Sequence, residues 1–491
     1  MKNKLVRRFP LAFLIAILLI SSTAVQAYGQ TNDGAIDKQI DTLFSKYNAA
    51  TPGVAVAVVK DGKIVFKKGY GTANLEYDQP ITTKTVFNLA SVSKQFTAFA
   101  IYLLEKEGKL SLEDDVRKYV SEVPDLGKIV RIKHLLGHTS GVRDHGSLMT
   151  LAGVVEGDSQ TTEQILRLIS RQKELNFAPG SEYLYNNSGY ALLAEVVERV
   201  SGQTFSEFTK KNIFEPLKMN DTQFYDDYER IVKNRADSYE LTNGVYKKKG
   251  GNNSATGPSN LYTTVEDMAK WVWNFETPVV GDADLIKRFN EPSLLNNGER
   301  VVNFTGDGEV IYHAKGQNVR VSRGVSVLSH GGHAAAFRTT FWRYPDQRFA
   351  VILLSNDEHF EQLKYAETII ELYLKDVLQP KPTATIPVAP TTKPAEKNSN
   401  LKDFEGRFYS DELEAAYLVK VVGGKLFFSH IRHGEIELTE TGKDKFSARF
   451  GYPFTIEFDR NETGAITRFR ISNFGAKNVK FDKKNNKYPN P

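Results

Sequence analysis

Apolar side chains recur along this chain at two spacings, and each spacing marks a different kind of element. Ile36, Ile40, Leu43 and Phe44 repeat once per helical turn and predict a helix over Ile36 to Tyr47. Val54 to Lys60 and Lys63 to Tyr70 are β-branched runs joined by Asp61-Gly62, the pattern of a two-residue hairpin. Ser91 to Glu107 reads as a helix with Phe96, Phe99, Ala100 and Leu103 on one stripe and Gly108 just past its end. Ala98, Ile101 and Tyr102 carry apolar surface round to the opposite face, so this helix is expected to be buried. From about Leu112 to Asn274 the pattern is mainly helical, including Thr162 to Arg171, Gly189 to Val200 and Val265 to Phe275. Val319 to Ser329, Phe337 to Tyr344 and Arg348 to Ser355 are predicted as strands, and Phe360 to Leu378 as a closing helix. Hairpin strands at both ends with helices between predict an α+β domain whose antiparallel sheet is assembled from its two termini.

Beyond Leu378 the pattern changes. Pro380, Pro382, Pro387, Pro390 and Pro394 mark residues 379–400 as a stiff, exposed linker. Residues 401–491 then alternate at the strand period over Tyr417 to Val422, Lys425 to Ser429, Glu435 to Thr439, Lys445 to Phe450, Thr455 to Asp459 and Ile466 to Ile471. Turns such as Gly423-Gly424 and Glu462-Thr463-Gly464 separate the runs, which predicts a small all-β, barrel-like C-terminal domain. At the other end, Lys2, Lys4, Arg7 and Arg8 precede the apolar run Leu11 to Ile20, and Val25-Gln26-Ala27 offers small residues for cleavage. Residues 1–27 are read as a signal peptide and 28–378 as the α+β domain. The exported product is expected to be periplasmic or secreted, with no stable membrane span once the signal is cleaved. An uncleaved N-terminal anchor is the alternative, disfavoured by an apolar run short for a bilayer.

Composition narrows the partners. A chain of 491 residues, 41% hydrophobic and 11% aromatic, can bury more than one core. The segment read as a signal holds four basic and no acidic side chains, and so accounts for most of the net charge of +5. Overall charge therefore gives no support to a nucleic-acid or anionic-membrane partner. The absence of cysteine excludes disulfides, thiolate chemistry and a lipid-modified cysteine at the signal junction.

Three short polar sets carry the candidate chemistry: Ser91-Val92-Ser93-Lys94, Tyr185-Asn186-Asn187 and His330-Gly331-Gly332. Ser-x-x-Lys on a helix puts a hydroxyl and an amine one turn apart on one face, so the amine can take the hydroxyl proton or stabilise its loss. The spacing also occurs at Ser170 to Lys173 and Ser399 to Lys402, and Tyr-x-Asn recurs at Tyr488 to Asn490; these read as surface positions. A lysine on a buried helix needs an explanation, since an unpaired buried amine is costly, and a catalytic cleft at the helix start supplies one. Lys94 is either the base or a charged group that lowers the pKa of a second base. Tyr185 falls on a loop after the Pro179-Gly180 turn; its plain reading is a packed aromatic, and that of Asn187 a helix cap. His330 to Gly332 ends an apolar run, where paired glycines let a substrate backbone approach closely. His134 with His138, His330 with His333, and His430 with His433 have spacings a metal can use, but no carboxylate or cysteine set accompanies them, and no metal or other cofactor is expected. Trp271 and Trp273 read as packing, and no phosphate loop or dinucleotide fingerprint occurs.

Taken in order, these sets resemble the serine beta-lactamase and penicillin-binding protein superfamily, in its class C-like branch. The resemblance covers roughly residues 35 to 378. It includes Phe87 to Lys94, the run His134-Leu135-Leu136-Gly137-His138-Thr139-Ser140-Gly141, Gly180 to Tyr190, and Thr263 to Asp267. It implies a beta-lactamase/transpeptidase-like fold, Ser91 as nucleophile, Lys94 as its proton partner and Tyr185 as general base and acid. It further implies that Asn187 holds a substrate amide, that His330, Gly331 and Gly332 line the substrate, and that the backbone N–H groups of Ser91 and His333 form an oxyanion hole. Class C beta-lactamases carry Lys-Thr-Gly where this chain has His-Gly-Gly, which weakens a beta-lactamase reading. The His-x-Gly form occurs in relatives that act as D-amino-acid-directed peptidases, carboxypeptidases or esterases. The β domain resembles the lipocalin-like appendage of some of these peptidases. The expectation is an exported serine hydrolase acting on small peptides or amides with D-residues, such as peptidoglycan fragments, or on small esters. The alternatives are a non-catalytic penicillin-binding-like scaffold and a class C beta-lactamase; oligomeric state is not legible.

Overall fold

The computed structural model describes residues 33–155, 157–306, 308–381 and 400–484. The expected signal segment 1–27 and most of the proline-rich stretch lie outside these residues. Among the helices that position the site or cover the sheet are α1 (Asp33–Leu43), α2 (Lys94–Lys106), α3 (His145–Leu151), α4 (Asn187–Ser201) and α5 (Gln362–Leu374). The sheet takes β1 (Val54–Lys60) and β2 (Lys63–Tyr70) from the start of the chain. From far downstream it takes β3 (Val302–Gly306), β4 (Glu309–Ala314), β5 (Gln317–Ser322), β6 (Val325–Ala334), β7 (Phe337–Tyr344) and β8 (Phe349–Ser355). Their order is β3-β4-β5-β6-β7-β8-β1-β2, antiparallel throughout. The two parts of the sheet are joined where β8 pairs with β1, Val54 opposite Ser355, as the pattern at the two ends predicts.

The sequence Val-Ala-Val-Ala-Val-Val of β1 shows how the layers form. Val54, Val56 and Val58 join one apolar cluster with Ile40 and Phe44 at α1 and Ile369 of α5. Ala55, Ala57 and Val59 join the other, with Phe96 and Phe99 of α2 and Trp271. Side chains alternate across a strand, so a strand apolar at every position is covered on both faces by helices. The hairpin turn falls where expected, with Asp61 at φ 50° and Gly62 at φ 72°, the left-handed pair that matches strand twist.

Several elements differ from the expectation. Val319 to Ser329 is not one strand but the β5–β6 hairpin, turning at Arg323 (φ 50°) and Gly324 (φ 83°). An arginine at a left-handed position gives no turn signal, and the alternation runs through it. β3 and β4 were not foreseen, and the region expected to be helical contains the hairpin Ser238–Thr242 with Val245–Lys249, turning at Asn243-Gly244. Trp271 is buried, whereas Trp273 is 52% exposed and does not pack as expected.

The C-terminal part is a closed eight-stranded barrel running from Gly406–Ser410 to Val479–Lys484. Those two strands, absent from the six expected, pair with each other and close it. Phe408, Phe428, Phe469 and Phe481 are fully buried, so the interior is filled by side chains, as the diameter of eight strands allows. The barrel docks on α3, whose Leu148 and Leu151 belong to the barrel's apolar cluster. Beside α3, the buried Arg143 guanidinium pairs with Glu412 at 2.6 Å and donates to the Gln172 carboxamide and the Lys477 carbonyl.

Candidate active site

Ser91 lies in a 3₁₀ turn, Ala90–Ser93, that runs directly into α2. Ala90 sits at φ 50°, a left-handed conformation that is strained for a residue with a Cβ and persists only where its surroundings impose it. Those surroundings are specific. Asn88 Oδ1 accepts the Ala90 N–H at 2.8 Å, Thr339 Oγ1 donates to the Leu89 carbonyl at 2.9 Å, and Ser93 Oγ donates to the Ala90 carbonyl at 2.6 Å. Strand β6 crosses this turn so closely that a Cβ at Gly332 would stand 2.6 Å from the Leu89 carbonyl oxygen and 2.9 Å from the Ala90 Cβ. Glycine at 332 is therefore a requirement of contact with the turn that carries Ser91.

Lys94 is fully buried. Its Nζ donates to Ser91 Oγ at 3.2 Å, Asn187 Oδ1 at 2.9 Å and the Pro258 carbonyl at 2.8 Å, which uses all three donors. Burial pulls its pKa down to about 7, partly countered by the Asp144 carboxylate. Both protonation states are therefore populated near neutral pH.

Tyr185 comes from the loop before α4, and Lys94 Nζ stands 4.8 Å from the centre of its ring. Its hydroxyl is buried without a completed hydrogen bond in this state. Burial pushes this phenol well up, and the neighbouring Ser91 hydroxyl acts against that rise. Asn186, not Asn187, caps α4, its Oδ1 accepting the Gly189 N–H at 2.7 Å. That leaves the Asn187 carboxamide to hold Lys94, while its N–H donates to Asp144 Oδ2 at 2.7 Å.

The third set divides. His330 is buried with its ring 6.2 Å from that of Tyr185. Burial, and then Lys94, lower its pKa to about 4, so it is a neutral imidazole at neutral pH. Gly331 and Gly332 continue along β6. The His333 side chain is 63% exposed and turned toward Glu358, 3.7 Å away, so only its backbone belongs to this edge.

The other motif matches stay apart from this cluster. Ser170 bonds back to the Arg167 carbonyl on the surface, and Ser399 and Tyr488 lie outside the described residues. Among the described residues no group of three His, Cys, Asp or Glu side chains is arranged to hold a metal ion.

Three contributors were missed. His138, at φ 55°, accepts the Asn186 N–H on Nδ1 at 3.1 Å and packs 4.5 Å from the Tyr185 ring, so it fixes the tyrosine loop. Burial holds it and its neighbour His313 neutral, His313 with a pKa of about 3. Asp144 caps α3 and aligns Asn187. His138 was visible within the run His134 to Gly141, but nothing local told its role; His313 lies on a strand that was not foreseen.

A helix-flanked antiparallel sheet with a serine, a buried lysine and a buried tyrosine gathered at one strand is the architecture of the serine hydrolases of beta-lactamase/transpeptidase type. A family model described as Beta-lactamase matches residues 40–375, and the chain belongs to that family. It is 30% identical over 360 residues to Penicillin-binding protein 4* of Bacillus subtilis (strain 168), across 68% of this chain and 74% of that protein. It is 28% identical over 319 residues to the D-aminopeptidase of Brucella anthropi, a match taking in 63% of this chain and 57% of that protein. The octameric penicillin-binding protein homologue from Pyrococcus abyssi superposes with a TM-score of 0.61 at 23% identity, over 92% of this chain and 99% of that one, and so shares its fold.

Proposed function

We propose that this serine hydrolase forms an acyl-enzyme on Ser91 and acts outside the cytoplasm on small peptides or amides with D-residues, peptidoglycan fragments among them, or on small esters. The observation that carries the reading is the Lys94 amine, buried at hydrogen-bond distance from Ser91 Oγ with a pKa lowered to about 7. Perturbed amines beside a hydroxyl are the mark of an activated nucleophile. Ser91 Oγ attacks the carbonyl carbon while its proton passes to the neutral Lys94 amine, and the carbonyl electron pair moves to oxygen. The backbone N–H groups of Ser91 and His333 receive that oxyanion. Collapse breaks the bond to the leaving nitrogen or oxygen, which takes the Tyr185 phenol proton; Lys94 returns a proton to Tyr185. Water then adds to the acyl-enzyme by the same route in reverse and frees the acid.

The raised phenol pKa supports Tyr185 as a proton donor in the resting protein, and the lowered amine supports Lys94 as the base. Asn187 orients Lys94 and faces the substrate amide, and the β6 edge at His330, Gly331 and Gly332 lines it. The neutral His330, in place of the cation of class C beta-lactamases, favours peptide or ester substrates over beta-lactams. The D-aminopeptidase match supports the D-residue class. Export rests on the basic and apolar start of the chain; no described helix is long and apolar enough to cross a membrane.

The test is covalent labelling. Incubation with a fluorophosphonate or a fluorescent penicillin, followed by intact mass measurement, is expected to give one adduct that disappears in Ser91→Ala. D-alanine p-nitroanilide and a p-nitrophenyl ester then rank the two substrate classes. An adduct that persists in Ser91→Ala, or no turnover of either substrate, overturns the reading.

A further inference from the structure

A cavity of about 620 Å³ opens past the far end of β6, lined on that side by Asn88, Ala334 and Ala335. Its place follows from the order of contacts along β6. His330 lies beside Tyr185, Gly332 packs on the turn bearing Ser91, and Ala334-Ala335 enter the cavity. Tyr185 and the cavity therefore stand at opposite ends of a substrate laid along the strand, with Ser91 between. On the mechanism above, on which this inference rests, the leaving atom takes its proton from Tyr185. The leaving group then points toward Tyr185, and the part retained on Ser91 points toward the cavity.

The cavity has a distinct chemistry. Arg235 lies between two rings, 5.4 Å from that of Tyr225 and 5.9 Å from that of Tyr262, and donates to the Tyr225 hydroxyl at 3.0 Å. Among the described residues no carboxylate pairs with it. The two acids that line the cavity are already engaged, Asp158 with Arg432 and Asp237 with Lys248, each at 2.8 Å. A stacked guanidinium with spare donors matches the planar fork of a carboxylate.

We propose that this cavity is an acyl-side subsite for a carboxylate, in which Arg235 binds the anionic end of the donor's retained acyl chain. The span from Gly332 to Ala334 is about 7 Å, so the acid belongs at the end of a chain or in a side chain rather than next to the reacting carbonyl.

The experiment compares two p-nitrophenyl esters of suberic acid, one ending in the free carboxylate and the other in the carboxamide. The wild type is expected to prefer the carboxylate in kcat/KM, and Arg235→Ala to lower that preference about tenfold to a hundredfold, the worth of one charge-assisted bond. Arg235→Lys should keep part of it. The fold does not rest on this side chain, because the backbone is held by Val86 N–H to the Asn234 carbonyl and Ala236 N–H to the Val86 carbonyl. A preference unmoved by Arg235→Ala, including the case in which both esters slow equally, overturns the proposal. If neither ester acylates the wild type, the acyl-enzyme reading fails, and the subsite is judged on its own by calorimetry of suberic acid monoamide with Ser91→Ala. Binding that vanishes when Arg235→Ala is added supports the subsite; binding indifferent to Arg235, or none, overturns it.

Discussion

Replacing Lys94 with methionine removes a charge while nearly keeping the volume, and its effect on stability has a definite dependence on pH. The folded amine has a pKa of about 7 against a reference value of 10.5. The unfolded chain therefore binds the extra proton between those values, and wild-type stability rises with pH across that window. Below pH 7 both states are charged and burial costs the wild type about 5 kcal/mol in full; at pH 9 the cost has fallen to about 2 kcal/mol. The mutant lacks the term entirely. It also leaves the Asn187 and Pro258 acceptors unpaired, a loss of about 1 kcal/mol each that pH does not alter. The stability of Lys94→Met minus that of the wild type should thus be about 3 kcal/mol higher at pH 5.5 than at pH 9, whatever its absolute value. Urea unfolding followed by tryptophan fluorescence measures it cleanly, because Trp271, Trp273 and Trp342 are the chain's three tryptophans and none lies in the barrel. The variant should be inactive, and wild-type kcat/KM should fall as pH drops through about 7 and Lys94 gains its proton. A stability difference that is flat from pH 5.5 to 9 would mean the amine titrates normally, and the role of Lys94 as base at neutral pH would go with it.

Two further substitutions test how the site is supported. Gly332→Ala forces a Cβ against the Leu89 carbonyl and Ala90. Overpacking of about 1–3 kcal/mol should slow labelling of Ser91 roughly tenfold to a hundredfold with the fold retained, and labelling at the wild-type rate would refute the close-approach argument. Glu412→Ala leaves the buried Arg143 guanidinium with only the more distant Glu174 carboxylate, 3.7 Å away, which is expected to cost about 3 kcal/mol in docking of the barrel. Hydrogen exchange should quicken in residues 472–478, and unchanged protection there would show that the pair does not hold the barrel in place.

What could be read in the sequence was what is local or repeated. Ser91 and Lys94 could be read as neighbours from helical spacing, while the Pro-Gly turn and the helix start placed Tyr185 on a loop and only the family resemblance drew it to the site. The central sheet was legible because β1 and β8 are apolar at nearly every position. What escaped depends on contacts between remote segments. Asp144 matters because it meets Asn187, and His138 because it meets Tyr185 and Asn186. The cap of α4 lies one residue earlier than expected, since the spacing cannot tell which of two adjacent asparagines turns its carboxamide inward. The outer strands β3 and β4 were hidden by half-exposed, polar-rich sequence, and the last strand of the barrel by its charged end.

The geometry of the Ala90 turn also sets a timetable for the chain as it is made. The carbonyl of Leu89 is held by the hydroxyl of Thr339, which is 250 residues further on, and β1 waits for β8. On a ribosome that delivers residues in order, the Ser91 hydroxyl emerges early but its strained seat is finished almost last. The seat of Ser91 is thereby deferred until nearly the whole of the α+β part has been synthesised, so a truncated or half-made chain has the serine without the turn that holds it.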